Sequence, residues 1–491
     1  MTIQTLPFAN LISIDRTSAT PIFNQLANGL TKLIREGKIR AGDQLPSSRD
    51  MAFIIKLNRT TVIAAYDELK AQGWLEVIGT KGVFVSRNLP VMNPISFKST
   101  HSLSRNAQVL PDFYHRISFD PPPYREVKPY HLMINDGQPD PRVAPIHSIL
   151  NRYKALSNRT DLHRHFLTGS PAGNASLCTE LASFLSKTRA LNIKADQVLV
   201  THGAQLAIYI AASMILKPGS RVIVAELNYI LADKLFEQLG AKLVKVKVDR
   251  YGIDVDQIEE ICKKSRPDLL YIIPHHHHPT TVTLSAERRM KLLEIIRRYQ
   301  LPVIEDDYDY DFHYNNSPIL PLASAEHGGY VLYVGSVSKT LSSSTRLGYL
   351  VGSIDFIQQA SRFKQLVEIR GDVLFEASVA HLFSNGEMQR HLNRSVKLYR
   401  QRRDRFCQLL TASLGDLVQF SIPQGGMAVW LLFPEEYSIT ELSGRLYKKG
   451  IYMNDGSIYR YSETVNGIRL GFASLNDDEM DRFAAALAEL K

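Results

Sequence analysis

Nowhere in these 491 residues is there an apolar run of eighteen, and Met1 to Asn10 lacks a basic segment followed by an apolar stretch. Neither a membrane-spanning helix nor an export signal is therefore expected, which points to the cytoplasm. Cysteine is scarce: Cys178, Cys262 and Cys407 are odd in number, scattered and without metal-ligand spacing. This argues against a disulfide framework and fits buried reduced thiols. Charge of one sign does not dominate, since 58 Lys and Arg stand against 49 Asp and Glu for a net +9. Such a balance is compatible with a polyanionic partner and does not demand one. What is present is 44% apolar and 22% charged residues in a chain too long for one ordinary domain, the composition of a globular protein of two or three domains with large cores.

The location of the charge is more informative than its sum. Residues 1 to 90 hold eleven Lys or Arg against seven Asp or Glu. Within them Ile22, Leu26, Leu30, Leu33 and Ile34 recur at helical spacing up to Gly37. Pro46-Ser47-Ser48 supplies an N-cap for a second helix from Arg49 to Ile55. After Leu57-Asn58 a third helix places Val62, Ala65, Tyr66 and Leu69 on one face before Gly73. A short helix, a tight turn and another helix make helix-turn-helix geometry. Trp74 to Ile78, a Gly79-Thr80-Lys81-Gly82 turn and Val83 to Val85 then predict a β-hairpin, a wing whose lysine can lie along a phosphate backbone.

The stretches Gly42 to Arg49, Asn58 to Val62, Ala65 to Leu69 and Gly73 to Leu75 closely resemble the GntR-type winged-helix domain, and the match runs from residue 15 to 87. The resemblance implies double-stranded DNA as partner. It places Arg49, Arg59, Thr60 and Thr61 at phosphates and base edges, with Gly79, Thr80 and Lys81 reaching from the wing. Residues 1–87 are thus expected to form a winged helix-turn-helix DNA-binding domain. The alternative for the same residues is a small protein-interaction module with a solvated basic surface.

From residue 88 to 129 periodicity vanishes, and Pro90, Pro94, Pro111, Pro121, Pro122, Pro123 and Pro129 interrupt a polar, basic stretch, as in a semi-extended linker. Over 130–491 apolar β-type runs alternate with helical stretches: Gln197 to Thr201, Arg221 to Ala225, Leu269 to Ile273, Pro302 to Glu305 and Tyr330 to Val334. The alternation predicts a mainly parallel α/β sheet with ligand at the carboxyl ends of its strands. Four motifs sit at such ends. Thr201 to Gln205 passes through Gly203 into a helix whose first N–H groups can take a phosphate. Tyr229 can lie against a ring face. Glu305-Asp306-Asp307-Tyr308 ends a β-run, and Ser336-Val337-Ser338-Lys339-Thr340 is followed seven residues after the lysine by Arg346. An amine to condense with an aldehyde, a carboxylate to keep a pyridine nitrogen protonated, and hydroxyls with a guanidinium for a phosphate make the inventory of a pyridoxal phosphate site.

In this order the motifs resemble the fold-type I aminotransferase domain, and its union with a GntR module resembles the MocR-type regulators, among them regulators of vitamin B6 synthesis. Asn135 to Asp140 is similar to the entry motif of that domain. By the resemblance Lys339 binds the cofactor covalently, Asp306 partners the ring nitrogen, Tyr308 the ring oxygen, and Tyr229 stacks. Ala204, Gln205, Ser336, Ser338 and Arg346 surround the phosphate, while Arg469, in Gly467 to Ala473, grips a substrate carboxylate.

Departures from the family pattern bear on turnover. Its Asn-Pro-Thr-Gly motif reads His278-Pro279-Thr280-Thr281 here, so His278 stands where an asparagine holds the ring oxygen. Thr168 to Gly173 lacks a tyrosine that reaches a neighbouring subunit's phosphate. The run His275 to His278 invites a metal, but on a strand successive residues point to opposite faces and no metal is expected. A homodimeric regulator sensing pyridoxal phosphate or an amino compound is the expectation, and a working aminotransferase that carries a DNA-binding domain is the alternative.

Overall fold

A computed structural model describes residues 6–18, 20–90, 132–159, 169–314, 319–459 and 465–490. The chain divides into two compact units, Met1–Tyr114 and His115–Lys491, and each is considered by itself. Of the stretch expected to be a linker, residues 91–129 lie outside the described residues, as does Thr168. Leu89 still packs on the core of the first unit.

In the first unit α1 (Ile22–Arg35), α2 (Ser48–Ile54) and α3 (Arg59–Ala71) are each set by their apolar spacing and, for the latter two, by a side-chain cap. Ser47 Oγ accepts the Asp50 N–H at 3.2 Å and Asn58 Oδ1 accepts the Thr60 N–H at 3.2 Å, contacts of a type worth about 1 kcal/mol each. Leu26, Leu30 and Leu33 of α1, Met51 of α2 and Val62, Ala65 and Leu69 of α3 close one core with Trp74, Leu75 and Val85. β1 (Leu75–Val77) and β2 (Val83–Val85) form the antiparallel hairpin, with Leu75 opposite Val85. Its turn requires positive φ at Gly79 (+49°) and Gly82 (+117°), and Gln44 Nε2 ties it down through a 2.6 Å bond to the Lys81 carbonyl.

The second unit is built on a seven-stranded sheet. Its strands are β3 (Val198–Thr201), β4 (Arg221–Ala225), β5 (Lys242–Val246), β6 (Leu269–Ile272), β7 (Val303–Asp307), β8 (Val331–Ser336) and β9 (Gly348–Val351), in the order β3-β9-β8-β7-β6-β4-β5. Only β9 runs against its neighbours. One face packs Leu199, Val222, Val224, Ile304, Leu332 and Val334 against α4 (Ala204–Ile215) and α5 (Ile230–Gln238). The other packs Ile223, Leu270, Ile272, Val303 and Val331 against α6 (Val255–Lys264) and α7 (Ala286–Tyr299). Strands buried on both faces read as unbroken apolar runs, which is why the central ones were recognisable in the sequence. β5 and β9 were not among the runs identified there. β5 is a partly exposed edge strand, and β9 is short and follows the Arg346 loop.

A further layer carries the 28-residue helix α8 (Glu387–Leu414) and an antiparallel pair, β10 (Ala428–Leu432) and β11 (Gly467–Gly471), in which Trp430 lies opposite Arg469. Cys178, Cys262 and Cys407 are free and buried. Among the described residues no helix is long and apolar enough to cross a membrane.

Candidate functional site

The carboxyl ends of β3, β7 and β8 open into a cavity of about 200 Å³. Every residue named above for the cofactor lines it: Ala204, Gln205, Tyr229, His278, Asp306, Tyr308, Ser336, Ser338, Lys339 and Arg346, together with Arg469. At one end Gly203, with φ +84°, turns β3 into α4, so the first N–H groups and positive dipole end of a 12-residue helix border the space. Arg346 stands against this turn, its Nη2 3.4 Å from the His202 carbonyl. A Cβ at Gly348 would run into the backbone of Gly203 and Ala204, so β9 approaches the turn closely only because that position is glycine.

Glu305, Asp306 and Asp307 are all buried at the end of β7, an expensive place for three carboxyls, and they part in character. Burial pushes Glu305 up to about 7 despite bonds from the Leu322 and Ala323 N–H groups. Asp307 is held below the ordinary range: burial acts against this, but His275, Arg189 and the Tyr333 hydroxyl outweigh it. Burial also pushes Asp306 up to about 7, against a 2.7 Å bond from Tyr271 Oη to its Oδ2. Its Oδ1 is buried with no hydrogen-bond partner.

Lys339 Nζ donates to the Gly137 carbonyl at 2.7 Å and to Gln138 Oε1 at 3.3 Å, and lies 5.6 Å from the centre of the Tyr308 ring. Burial lowers its basicity, with Asp136, Asp309 and Asp306 opposing. Tyr308 Oη donates to the His276 carbonyl at 3.0 Å and accepts from Arg469 Nη2 at 3.1 Å. Arg469, 2% exposed, also donates to the carbonyls of Asp136 and Pro279 at 2.9 and 3.1 Å. Tyr229 meets the His278 ring edge-on, centroids 5.5 Å apart.

Three buried polar atoms of cavity-lining residues have no partner: Asp306 Oδ1, Gln205 Oε1 and His278 Nδ1. Asp306 Oδ1 is an acceptor waiting for a donor such as a protonated ring nitrogen, and the opposite end offers N–H groups, two serines and a guanidinium to an anion. The donor set fits pyridoxal phosphate.

One expectation needs correction. His275 to His278 lie past the end of β6, in a loop where His276 has φ +46°, so the argument from strand alternation does not apply. Each histidine faces a different way for another reason: His275 Nδ1 contacts Asp307 at 3.2 Å, His276 Nδ1 contacts Asp309 at 2.8 Å, His277 Nδ1 contacts Thr280 at 2.9 Å, and His278 lines the cavity. Thr281, where the family's motif has glycine, keeps a glycine-type backbone. Thr281 adopts φ +62°, strain that costs about 1–3 kcal/mol in a β-branched residue. The sequence reading missed Asp136 and Gln138 as lining residues. The entry motif containing them was visible, but nothing in it told that Gly137, at φ +106°, turns both toward Lys339.

In the first unit Arg49, Arg59 and Thr60 are exposed and Thr61 is half-buried. Arg59 Nε reaches Ser48 Oγ at 3.4 Å, which brings together the starts of α2 and α3, the ends that favour anions. Gly79 and Lys81 are exposed at the hairpin tip, and the side chain of Thr80 lies outside the described residues.

Residues 137–487 match the family model for aminotransferase class I and II. The chain belongs to that family. Residues 23–85 match the gntR family of bacterial regulatory proteins, so this family member carries a GntR-type helix-turn-helix domain fused to its aminotransferase domain. It is 28% identical over 476 residues to YisV, an uncharacterised HTH-type transcriptional regulator of Bacillus subtilis, covering 96% of each chain. It is 28% identical to the probable rhizopine catabolism regulatory protein MocR of Rhizobium meliloti, over 96% of this chain and 94% of that one. The second unit resembles LysN, the α-aminoadipate aminotransferase of Thermus thermophilus, solved in complex with N-(5'-phosphopyridoxyl)-L-leucine. The TM-score is 0.67 at 26% identity, over 74% of this chain and 93% of that one.

Proposed function

We propose that this DNA-binding regulator senses, through its aminotransferase domain, either pyridoxal phosphate itself or an amino compound that reacts with the resident cofactor. The observation that supports the reading is the convergence on one cavity of an amine, an unpartnered buried carboxylate oxygen and an anion-binding helix terminus, in a chain whose other unit is a winged helix. Bound there, pyridoxal phosphate supplies an aldehyde carbon that exchanges reversibly between primary amines. Lys339 provides the resident amine and Asp306 holds the ring-nitrogen proton. The start of α4, Ser336, Ser338 and Arg346 anchor the phosphate. Tyr229 would cover the ring, His278 and Tyr308 would hold its oxygen, and Arg469 would offer its guanidinium to a carboxylate. Two copies joined as a homodimer would set two winged helices on two half-sites of an operator.

Turnover as an aminotransferase is the second reading, favoured by Arg469 and Tyr308 and opposed by His278 and Thr281 at the altered positions. Sensing needs only reversible attachment, whereas transamination also needs protons moved at a substrate carbon. Operator affinity measured against cofactor and amino acid concentration separates the readings. A regulator should show a shift of about fivefold to 150-fold, or about 1–3 kcal/mol of coupling. Curves that ignore both ligands, together with steady keto-acid production, would favour the enzyme.

On the DNA side, Arg59→Ala is expected to lower operator affinity by about 1–3 kcal/mol and relax specificity if Arg59 reads a base. Lys81→Ala should weaken all sequences alike and flatten the salt dependence. Titrations at several salt concentrations check both, and unchanged binding in both variants would refute this placement of the winged helix.

A further inference from the structure

Once the cofactor has its partners, two charged side chains of the cavity are left for whatever approaches it: Arg469 and Asp136. Arg469 is almost wholly buried and already donates to two carbonyls and Tyr308. Asp136 is open by comparison, its side chain 40% exposed. Its carboxylate takes one long bond, from Gln138 Nε2 at 3.4 Å, and lies 3.9 Å from His278 Nε2. The other carboxylates near Lys339 are engaged differently: Asp309 by His276, and Asp306 by Tyr271 and the ring nitrogen assigned to it.

The turn that carries Asp136 is rigid and aimed. Asn135 Oδ1 accepts the N–H groups of Gly137 and Gln138 at 2.9 and 2.8 Å, and Asn135 Nδ2 is anchored to Ser474 Oγ at 2.7 Å. The next two residues, Gly137 and Gln138, hold Lys339 Nζ. The Asp136 carboxylate thus shares a cavity, and an electrostatic interaction, with the amine that any incoming amino compound must displace. Its charge is stabilised there by His278, Lys339 and Arg469, although burial acts the other way.

We propose that Asp136 determines effector specificity by recognising a second cationic group on the amino compound, so that diamines and basic amino acids are preferred and acidic amino acids are disfavoured. This rests on the cofactor reading above. In the exchange the effector's amino nitrogen forms a carbon–nitrogen double bond as the double bond to the Lys339 nitrogen breaks. Both protons the effector's amino group gives up end on the lysine amine, and no electrons are gained or lost.

The test uses the full chain loaded with pyridoxal phosphate and follows displacement of the cofactor–lysine absorbance band. Wild type and Asp136→Asn are titrated with 1,4-diaminobutane, lysine, leucine and glutamate. Wild type should respond to the diamine and to lysine at concentrations about tenfold below leucine, the ratio made by about 1.4 kcal/mol, and to glutamate last. In Asp136→Asn the advantage of lysine over leucine should shrink to less than about threefold. A wild type that answers glutamate as readily as lysine, a variant that keeps the full preference, or a band that no amine displaces would each overturn the proposal. The wild-type preference alone decides the matter if the variant does not fold. A wild type with no band and no adduct on Lys339 after borohydride treatment would overturn the cofactor reading itself, an outcome distinct from loss of selectivity.

Discussion

Lys339→Ala is expected to abolish covalent attachment of pyridoxal phosphate, leaving no absorbance from the linkage and no borohydride-fixed adduct on the chain. Among the described residues lining the cavity Lys339 carries the only amine. Its Nζ is held by Gly137 and Gln138 near the Tyr308 ring, and burial keeps its basicity down, so the uncharged nucleophilic form is more accessible than on a solvated lysine. The variant should still fold, because the two acceptors it abandons face an open cavity. Wild type at a free cofactor concentration 100 times its dissociation constant gains about 2.7 kcal/mol of stability, and the variant should lose most of that gain. Peptide mass mapping after borohydride reduction checks the site. Lys364, fully buried, is engaged by the Pro171 carbonyl and Glu368. A wild-type adduct there, or an adduct that survives in Lys339→Ala, would refute the assignment. Loss of cofactor response in operator binding should accompany loss of the adduct.

Legibility of the site followed the length scale of the interactions. The motifs at Gly203, Glu305 to Tyr308 and Ser336 to Arg346 could be recognised because each ends or borders a strand buried on both faces, where an apolar run stopping at polar residues is a local signal. The winged helix was equally readable, since its caps at Ser47 and Asn58 and its turn glycines act within a few residues. Partners from far along the chain were not. Tyr271 bonding Asp306 spans 35 positions, and Lys339 reaching Gln138 spans 201. No periodicity records such meetings. The histidine run was misread because a strand was extended past Pro274, and β9 went unseen because four residues after an irregular loop carry too little pattern. Arg189 is fully buried, its charge met by Asp311 and its Nε bonded to Tyr333 Oη. In the fold it heads a polar chain through Tyr333 to Asp307, the residue after Asp306.

The Asp306 carboxylate gives the free protein a pH dependence with a definite sign. Burial moves Asp306 from 3.8 in an unfolded chain up to about 7 in the folded one. Below both values it is neutral in either state. As pH rises between them the unfolded chain sheds the proton first, so stability present at low pH is progressively lost until the folded pKa is passed. The loss amounts to about 1.4 kcal/mol per pH unit, or roughly 4 kcal/mol across the window. Glu305 acts in the same direction and Asp307 in the opposite one, so Asp306 is isolated by comparing wild type with Asp306→Asn, whose amide oxygen can still accept from Tyr271. We expect cofactor-free Asp306→Asn to gain on wild type from pH 5 to about pH 7 and then to level off. Pyridoxal phosphate should reverse the order at pH 8, because the ionised Asp306 then faces a ring-nitrogen proton and the asparagine does not. Two tryptophans make this measurable: with Trp74→Phe as background, Trp430 alone reports urea unfolding of the second unit. Parallel pH profiles for the two cofactor-free proteins would show that Asp306 is not the strained acid of the site. Equal stabilisation of both by the cofactor at pH 8 would remove it from the ring nitrogen.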